Sequence, residues 1–355
     1  MLLLPRTPSG GGIRDNREAL YQAKHRMQGR NWMPDLAIGI DVGATKVAAA
    51  LVSGPDHTVR LLTERTPQRS GEEIVDLVAN LIGELMRSPE AGGRRLPVGI
   101  GLPAQIDFST QTVLRATNLP LGGVAVAGPL RGRFGGPLVI DNDANLAALA
   151  ETRHGAAEGR RHVICLTMGT GIGGGLVFDG ELYRGWLGVG AEVGHMVIEL
   201  EGADCACGGR GCFETLAAGP ALVRNAREAV ARHPDSLLAR LAGGDAGKVE
   251  GRMVTQAARE GDRVAQELFA HIGRILGYVL TSLANLLNPQ IFVIGGGMVE
   301  AGEFLVGPAR EIVMSCAMEP ALIDLEVVAA RFGNSAGYLG AATLAREHAK
   351  EKASD

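Results

Sequence analysis

Aromatic residues make up only 4% of this 355-residue chain, whereas glycine occurs 51 times. The core is therefore not built around stacked rings, and tight turns and close backbone approaches are expected instead. No basic block stands anywhere and the formal charge is −4, which argues against a nucleic-acid surface. No apolar run is long enough to span a membrane without interruption. The best candidate, about Ile275 to Met298, contains Asn285, Asn288, Pro289 and Gln290 and reads as a helix followed by a strand. Leu2, Leu3 and Leu4 are too few for the core of a secretory signal. The five cysteines are an odd number, and Cys205, Cys207 and Cys212 crowd together, unlike an even, spread disulfide framework. A cytoplasmic location without membrane partners is expected.

Hydrophobic residues at 46% and charged residues at 21% are the balance of a globular protein. The length exceeds one ordinary domain, so two lobes are expected. Residues 1–34 carry Pro5, Pro8 and Gly10-Gly11-Gly12 and read as a mobile extension, with a short helix over Arg17–Met27 as an option. Ordered structure then begins with an apolar run, Leu36–Ile40, and a second run, Val47–Val52, which together form a hairpin. Ile74, Val75, Val78, Leu81, Ile82 and Leu85 recur at helical spacing between Glu72 and Met86. Strands are expected at Val98–Leu102 and Leu138–Ile140, then a helix from Ala144 to His154 closed by Gly155.

The second half repeats this plan. A strand over His162–Thr167 meets a glycine turn over Gly169–Gly175 and continues through Leu176-Val177-Phe178. Helices fill about Gly219 to Leu287, and a strand at Ile291–Ile294 meets Gly295-Gly296-Gly297. Two α/β lobes with glycine turns facing a shared cleft follow from this repeat.

Three constellations carry chemistry. The turns in Gly39–Lys46 and Thr167–Gly175 follow strands and offer backbone N–H groups and threonine hydroxyls to an anion. Neither has the Gly-Lys-Ser/Thr ending of a Walker loop. Asp141-Asn142-Asp143 joins a strand to a helix, where an Asp either caps the helix or serves as a general base beside a polyol. Cys205, Cys207 and Cys212, with His195 ten residues upstream of the first, have the make-up of a closed Cys₃His zinc site. The thiols lack the two-residue spacing of a redox pair, and Cys165 and Cys316 read as core cysteines. Glu192 and Glu214 bracket the metal set and suit sugar hydroxyls.

Taken together and in this order, these motifs resemble the ROK family (repressors, open reading frames and kinases), above all its bacterial glucokinases. The most specific parts are Gly169 to His195, Cys205 to Glu214 (CACGGRGCFE) and Asn288 to Met298 (NPQIFVIGGGM). The resemblance implies a two-lobed, actin-like (ribonuclease H-like) ATPase fold with a central cleft. A small lobe over 35–150, joined by a C-terminal helix at 335–350, would face a large lobe over 151–334. It implies ATP and Mg²⁺ as cofactors, a structural Zn²⁺, a hexose as partner, and a homo-oligomer, dimer or tetramer. By position, Asp143 resembles the base that deprotonates the sugar 6-hydroxyl. Asn118, Asn142, Glu192, His195 and Glu214 resemble the hydroxyl-binding set. Asp41, Gly43, Thr45, Lys46, Thr170 and Gly171 match the Mg²⁺ and phosphate side, while Gly296 and Gly297 match the nucleotide side.

Two departures fall in the wall of the sugar site. Leu121-Gly122-Gly123 stands where a Trp is frequent, and Ala104-Gln105 stands where Gly is common after Pro103. N-acetylhexosamine or mannose therefore remains an alternative to glucose. A sugar-sensing repressor of the same family would need a basic winged helix-turn-helix before Leu36, which residues 1–34 do not supply. For Asp143, the positive end of the following helix is expected to keep the carboxylate ionised.

Overall fold

The computed structural model describes residues 36–116 and 118–354. The expectations for 1–34, including the helix at Arg17–Met27, lie outside the described residues. The first half contains β1 (Leu36–Val42), β2 (Lys46–Ser53), β3 (His57–Arg65), α1 (Gly71–Arg87), β4 (Val98–Leu102), β5 (Ala104–Asp107) and β6 (Thr112–Ala116). It continues with α2 (Ala127–Phe134), β7 (Leu138–Asn142) and α3 (Asp143–His154). The second half contains β8 (Val163–Met168), β9 (Ile172–Phe178), β10 (Glu181–Tyr183), α4 (Phe213–Ala217), α5 (Gly219–Arg232), α6 (Leu237–Leu241) and α7 (Gly251–Arg259). Then follow α8 (Arg263–Leu287), β11 (Ile291–Gly295), α9 (Glu303–Cys316), β12 (Glu326–Ala329) and α10 (Ala336–Ser354).

The internal echo is real at the level of topology. One sheet runs β3-β2-β1-β4-β7 and the other β10-β9-β8-β11-β12. In each, three antiparallel strands are followed by two that join in parallel. The third strand of each meander, β3 or β10, lacks an apolar run because it is an edge strand with much of its surface exposed. The β5–β6 hairpin and α2 were likewise not expected from the sequence.

Local chemistry accounts for the elements that were expected. In α1 the Ser70 hydroxyl caps the helix by accepting from the Glu73 N–H at 3.3 Å. Ile74, Val75, Val78, Leu81, Ile82 and Leu85 are the residues it buries. The glycine run after β8 is a different matter. Its turn ends at Gly171, and Gly173, Gly174 and Gly175 lie inside β9. These glycines let the β8–β9 hairpin press onto α3. A Cβ on Gly173 would come 2.8 Å from the Ala144 Cβ, and one on Gly175 2.5 Å from the Ala148 Cβ.

The chain passes between the sheets twice, through α3 with residues 155–162 and from β12 into α10. The C-terminal helix α10 returns to the first sheet and packs on β1, β4 and α3. Ala37, Ala48, Tyr338, Leu339 and Ala342 form part of that seam. The larger core lies on the second sheet, around Phe213, Phe269 and Phe292.

Candidate active site

The inner cleft collects strand ends from both sheets. Asp41 on β1, Lys46 at the start of β2, Asp143 at the start of α3, Thr167 on β8 and Gly295-Gly296 after β11 line a cavity of about 170 Å³. Gly333 and Asn334, ahead of α10, complete its wall. Sequence reading placed Thr167 among the hydroxyl donors of its turn but missed Gly333 and Asn334. The available signal was the recurring pattern of strand, short glycine turn and helix.

Asn142, not Asp143, caps α3, its Oδ1 accepting from Ala144 N at 2.9 Å and Asn145 N at 3.2 Å. Asp143 is therefore free of the cap role, although its Oδ1 also accepts from Ala144 N at 2.9 Å. Burial above all, then the neighbouring Asp41 charge and to a lesser degree Glu192, push the Asp143 pKa up to about 7 against the pull of main-chain N–H groups. The helix end does not keep the acid strong as expected; loss of solvent outweighs the helix N–H groups. Burial likewise pushes Asp41 up to about 6, against the pull of Lys46. Two carboxylates of raised pKa thus share the cleft with Lys46.

Asp141 faces elsewhere. It is 2% exposed and pairs with Arg184, whose guanidinium lies 3.8 Å from the Phe108 ring centroid. Asn145 Nδ2 donates to Asp141 at 3.0 Å. Arg184 carried no motif that could have revealed it.

A wider outer cleft of about 1040 Å³ abuts the inner one. Gly296 lines the inner cavity and Gly297 the outer, beside Gly169, Thr170, Pro220, Arg224 and Met298. The contributions of α5 and α7 to its wall had no motif of their own. Gly43 and Thr45 form the β1–β2 turn, pinned when Thr66 donates through Oγ1 to Gly43 O at 2.7 Å and through N to Thr45 O at 3.1 Å. They line neither cavity. Gly171 sits under Glu214, where a Cβ would come 2.5 Å from Oε2. That oxygen also accepts from Ile172 N at 2.8 Å, so Glu214 braces the glycine turn.

His195, Cys205, Cys207 and Cys212 converge, their ligand atoms all within 4.8 Å of one another. The Cys207 and Cys212 sulfurs are 3.7 Å apart, and Cys205 Sγ lies 3.6 Å from His195 Nδ1. A disulfide requires about 2.05 Å between sulfurs, which excludes one between Cys207 and Cys212. Tetrahedral bonds of about 2.3 Å to sulfur and about 2.0–2.1 Å to nitrogen place ligand atoms about 3.6–3.8 Å apart, which fits this set. Burial, then the other two thiols, pushes Cys212 up to about 12, while the Gly209 N–H lowers Cys207. Three cysteine sulfurs and an imidazole nitrogen this close could hold a metal ion. Cys165 is buried as expected, but Cys316 is exposed on α9 and is not a core cysteine.

Glu192, just ahead of His195, accepts from Gln105 Nε2 at 3.1 Å, linking β5 to the metal corner. Arg115 on β6 donates to Cys207 O at 3.3 Å and makes a second link. Asn118 is exposed beyond β6 and lines neither cavity.

Residues 37–348 match the ROK family. The chain is 38% identical over 318 residues to a glucokinase of Thermotoga maritima, covering 89% of this chain and 99% of that one. It is 36% identical over 321 residues to a glucokinase of Streptomyces coelicolor, covering 88% and 98%. Its fold is similar to the crystal structure of a ROK family glucokinase from Streptomyces griseus in complex with glucose and AMPPNP. The TM-score is 0.79 at 36% identity, over 88% of this chain and 99% of that one.

Proposed function

This chain belongs to the ROK family, and on that basis we propose that it is an ATP-dependent hexose kinase that phosphorylates the 6-hydroxyl of glucose. The observation that carries the reading is Asp143, a carboxylate poised near pH 7 at the start of α3, in one cavity with Asp41, Lys46 and the glycine turns. A general base works best with a pKa near the operating pH, and such assistance is worth about 10²–10⁴-fold.

Asp143 accepts the proton of the sugar 6-hydroxyl as the hydroxyl oxygen attacks the γ-phosphorus of ATP and the bond to the β–γ bridging oxygen breaks, with ADP leaving. Asn118, Asn142, Glu192, His195 and Glu214 hold the other hydroxyls. Asn142 Oδ1 is committed to the helix cap and Nδ2 already donates to Ala104 O at 3.3 Å, so the second Nδ2 hydrogen is its contribution. Glu214 Oε2 is committed to the glycine turn, so Oε1 is the oxygen offered to the sugar. Gly43, Thr45, Lys46, Thr170, Gly171 and Gly296 position the phosphates, and Gly297 with the outer cleft takes the nucleoside. Asp41 would hold Mg²⁺ beside the phosphates, which fits a cleft where Lys46 stands against two carboxylates of raised pKa. Bound there, Mg²⁺ neutralises the charge that phosphoryl transfer develops. Closure of a small lobe (35–150 with 335–350) on a large lobe (151–334) excludes water as a competing acceptor.

Zn²⁺ belongs at His195, Cys205, Cys207 and Cys212. Four protein ligands leave it no open position, so its role is structural: it fixes the loop that carries His195 and Glu214. No described helix is long and apolar enough to cross a membrane; a cytoplasmic location without membrane partners is part of this proposal, and cell fractionation tests it. Exposed Tyr278, Leu286, Met318 and Ile323 favour a homo-oligomer, tested by sedimentation.

Coupled ADP-release assays with glucose, mannose and N-acetylhexosamines test the reading. Glucose should show the highest kcat/KM. A preference for an N-acetylhexosamine would overturn the sugar, and absence of hexose-dependent ADP release would overturn the kinase.

A further inference from the structure

The inner cleft is walled on one side by a single stripe of α3: Asp143, Ala147 and Glu151, at successive four-residue steps. Asp143 opens this stripe and Glu151 closes it two turns on. Glu151 is 0% exposed. Its carboxylate is met by main-chain N–H groups and, among the described residues, by no cation. Oε1 accepts from Phe332 N at 2.8 Å, and Oε2 accepts from Arg331 N at 3.1 Å and Ala156 N at 2.8 Å. These donors come from the two segments by which the chain passes between the sheets. Ala156 begins the outgoing connection, and Arg331 and Phe332 begin the returning one. Arg331 Nη1 donates to His154 O at 2.9 Å across the same junction.

The returning segment matters to the chemistry because Gly333 and Asn334, the next residues after Phe332, line the cavity with Asp41 and Asp143. At the second residue of α10, a Cβ on Gly337 would come 2.6 Å from the Asp41 carboxylate. The position of this segment therefore sets both the back of the cleft and the seat of Asp41. A carboxylate suits the junction because both oxygens only accept, whereas an amide nitrogen would point a donor at one of three N–H groups.

We infer that Glu151 is a positioning residue for the nucleotide. By tying both inter-sheet connections to the helix that carries Asp143, it holds the 331–337 segment where the phosphates must lie. This inference rests on the kinase reading above. A displacement of about 1 Å in such a wall costs on the order of 10²-fold in rate.

The test compares the full-length protein with Glu151→Gln, measuring Kd for Mg²⁺–AMPPNP, Kd for glucose, kcat, and amide hydrogen exchange over 331–336. Glu151→Gln should weaken AMPPNP about five- to ten-fold and lower kcat by at least about ten-fold. Exchange at 331–332 should speed up, while glucose affinity stays within about two-fold of wild type. Unchanged AMPPNP affinity, or equal weakening of AMPPNP and glucose, would overturn the inference, since a general loosening acts on both. Should Glu151→Gln fail to fold, Arg331→Ala loosens the same junction from a side chain that is 55% exposed. It should weaken AMPPNP about two- to three-fold with glucose unchanged, and an unchanged AMPPNP affinity overturns the inference. A wild-type protein that binds AMPPNP but phosphorylates no hexose would sink the kinase reading alone, because the binding arms still decide the role of Glu151.

Discussion

Arg184 meets Asp141 through two nitrogens, Nε and Nη2, each 2.8 Å from Oδ2. Asp141 is thereby neutralised, whereas Asp143, two residues on, faces the cleft without such a partner. Asp143→Asn should lower kcat by about two to four orders of magnitude with little change in glucose affinity. Asp141→Asn should retain most of kcat but lose about 2–4 kcal/mol of stability, because it leaves a half-buried guanidinium unmatched. Steady-state kinetics and urea unfolding of both variants check this, and a reversal of the two phenotypes would reassign the base.

The rate should depend on pH in a stated direction. For the free enzyme, kcat/KM for glucose should fall as pH drops below about 7, where Asp143 takes up its proton. Asp41→Asn removes the second cause of that raised pKa, so the acid limb should move to lower pH. It should stop short of the ordinary 3.8 because burial persists. A profile measured from about pH 5 to about pH 9 decides this; a limb left in place in Asp41→Asn refutes the coupling.

Stability should show the complementary trend. Folded Asp143 holds its proton up to about 7, against 3.8 for the ordinary group. The folded state therefore binds more protons than the unfolded state between these values, and stability falls as pH rises through this window. Asp143→Asn removes that loss. The variant should be more stable than wild type above pH 7, with the gap closing toward pH 4. A gap independent of pH in denaturation experiments would contradict the assignment.

Freshly purified protein should contain about one zinc per chain. Chelation or Cys207→Ser should remove it, lower Tm and raise KM for glucose, because His195 belongs to the metal set and, in the function proposed above, also contacts the sugar. Elemental analysis paired with kinetics tests this, and folded, unchelated protein without zinc would refute it.

Gln105→Ala should raise KM for glucose about two- to ten-fold with kcat nearly unchanged, since one exposed hydrogen bond to Glu192 is worth about 0.5–1.5 kcal/mol. An unaltered KM for every hexose would show that this departure from the family pattern does not shape the pocket.

What the chain determines alone is the local part of this account. The apolar face of α1, the apolar strand runs that stop at Asp41 and Asp141, and the Cys205-Cys207-Cys212 spacing are all legible, because periodicity, turn chemistry and ligand spacing act within a few residues. The polar edge strands β3 and β10 were not legible, since an exposed strand carries little apolar signal. Nor was the extent of the glycine turn. Gly173 and Gly175 serve the contact with α3, a helix from earlier in the chain, rather than the turn itself.

The choice between Asp141 and Asp143 was equally beyond local reasoning. It depends on Arg184, 43 residues after Asp141. Glu151 is one more acidic residue on a helix until donors 180 and 181 residues away close around it. Only tertiary structure decides such roles, because a carboxylate's charge, pKa and reach are set by the groups that replace its water, and those come from distant parts of the chain.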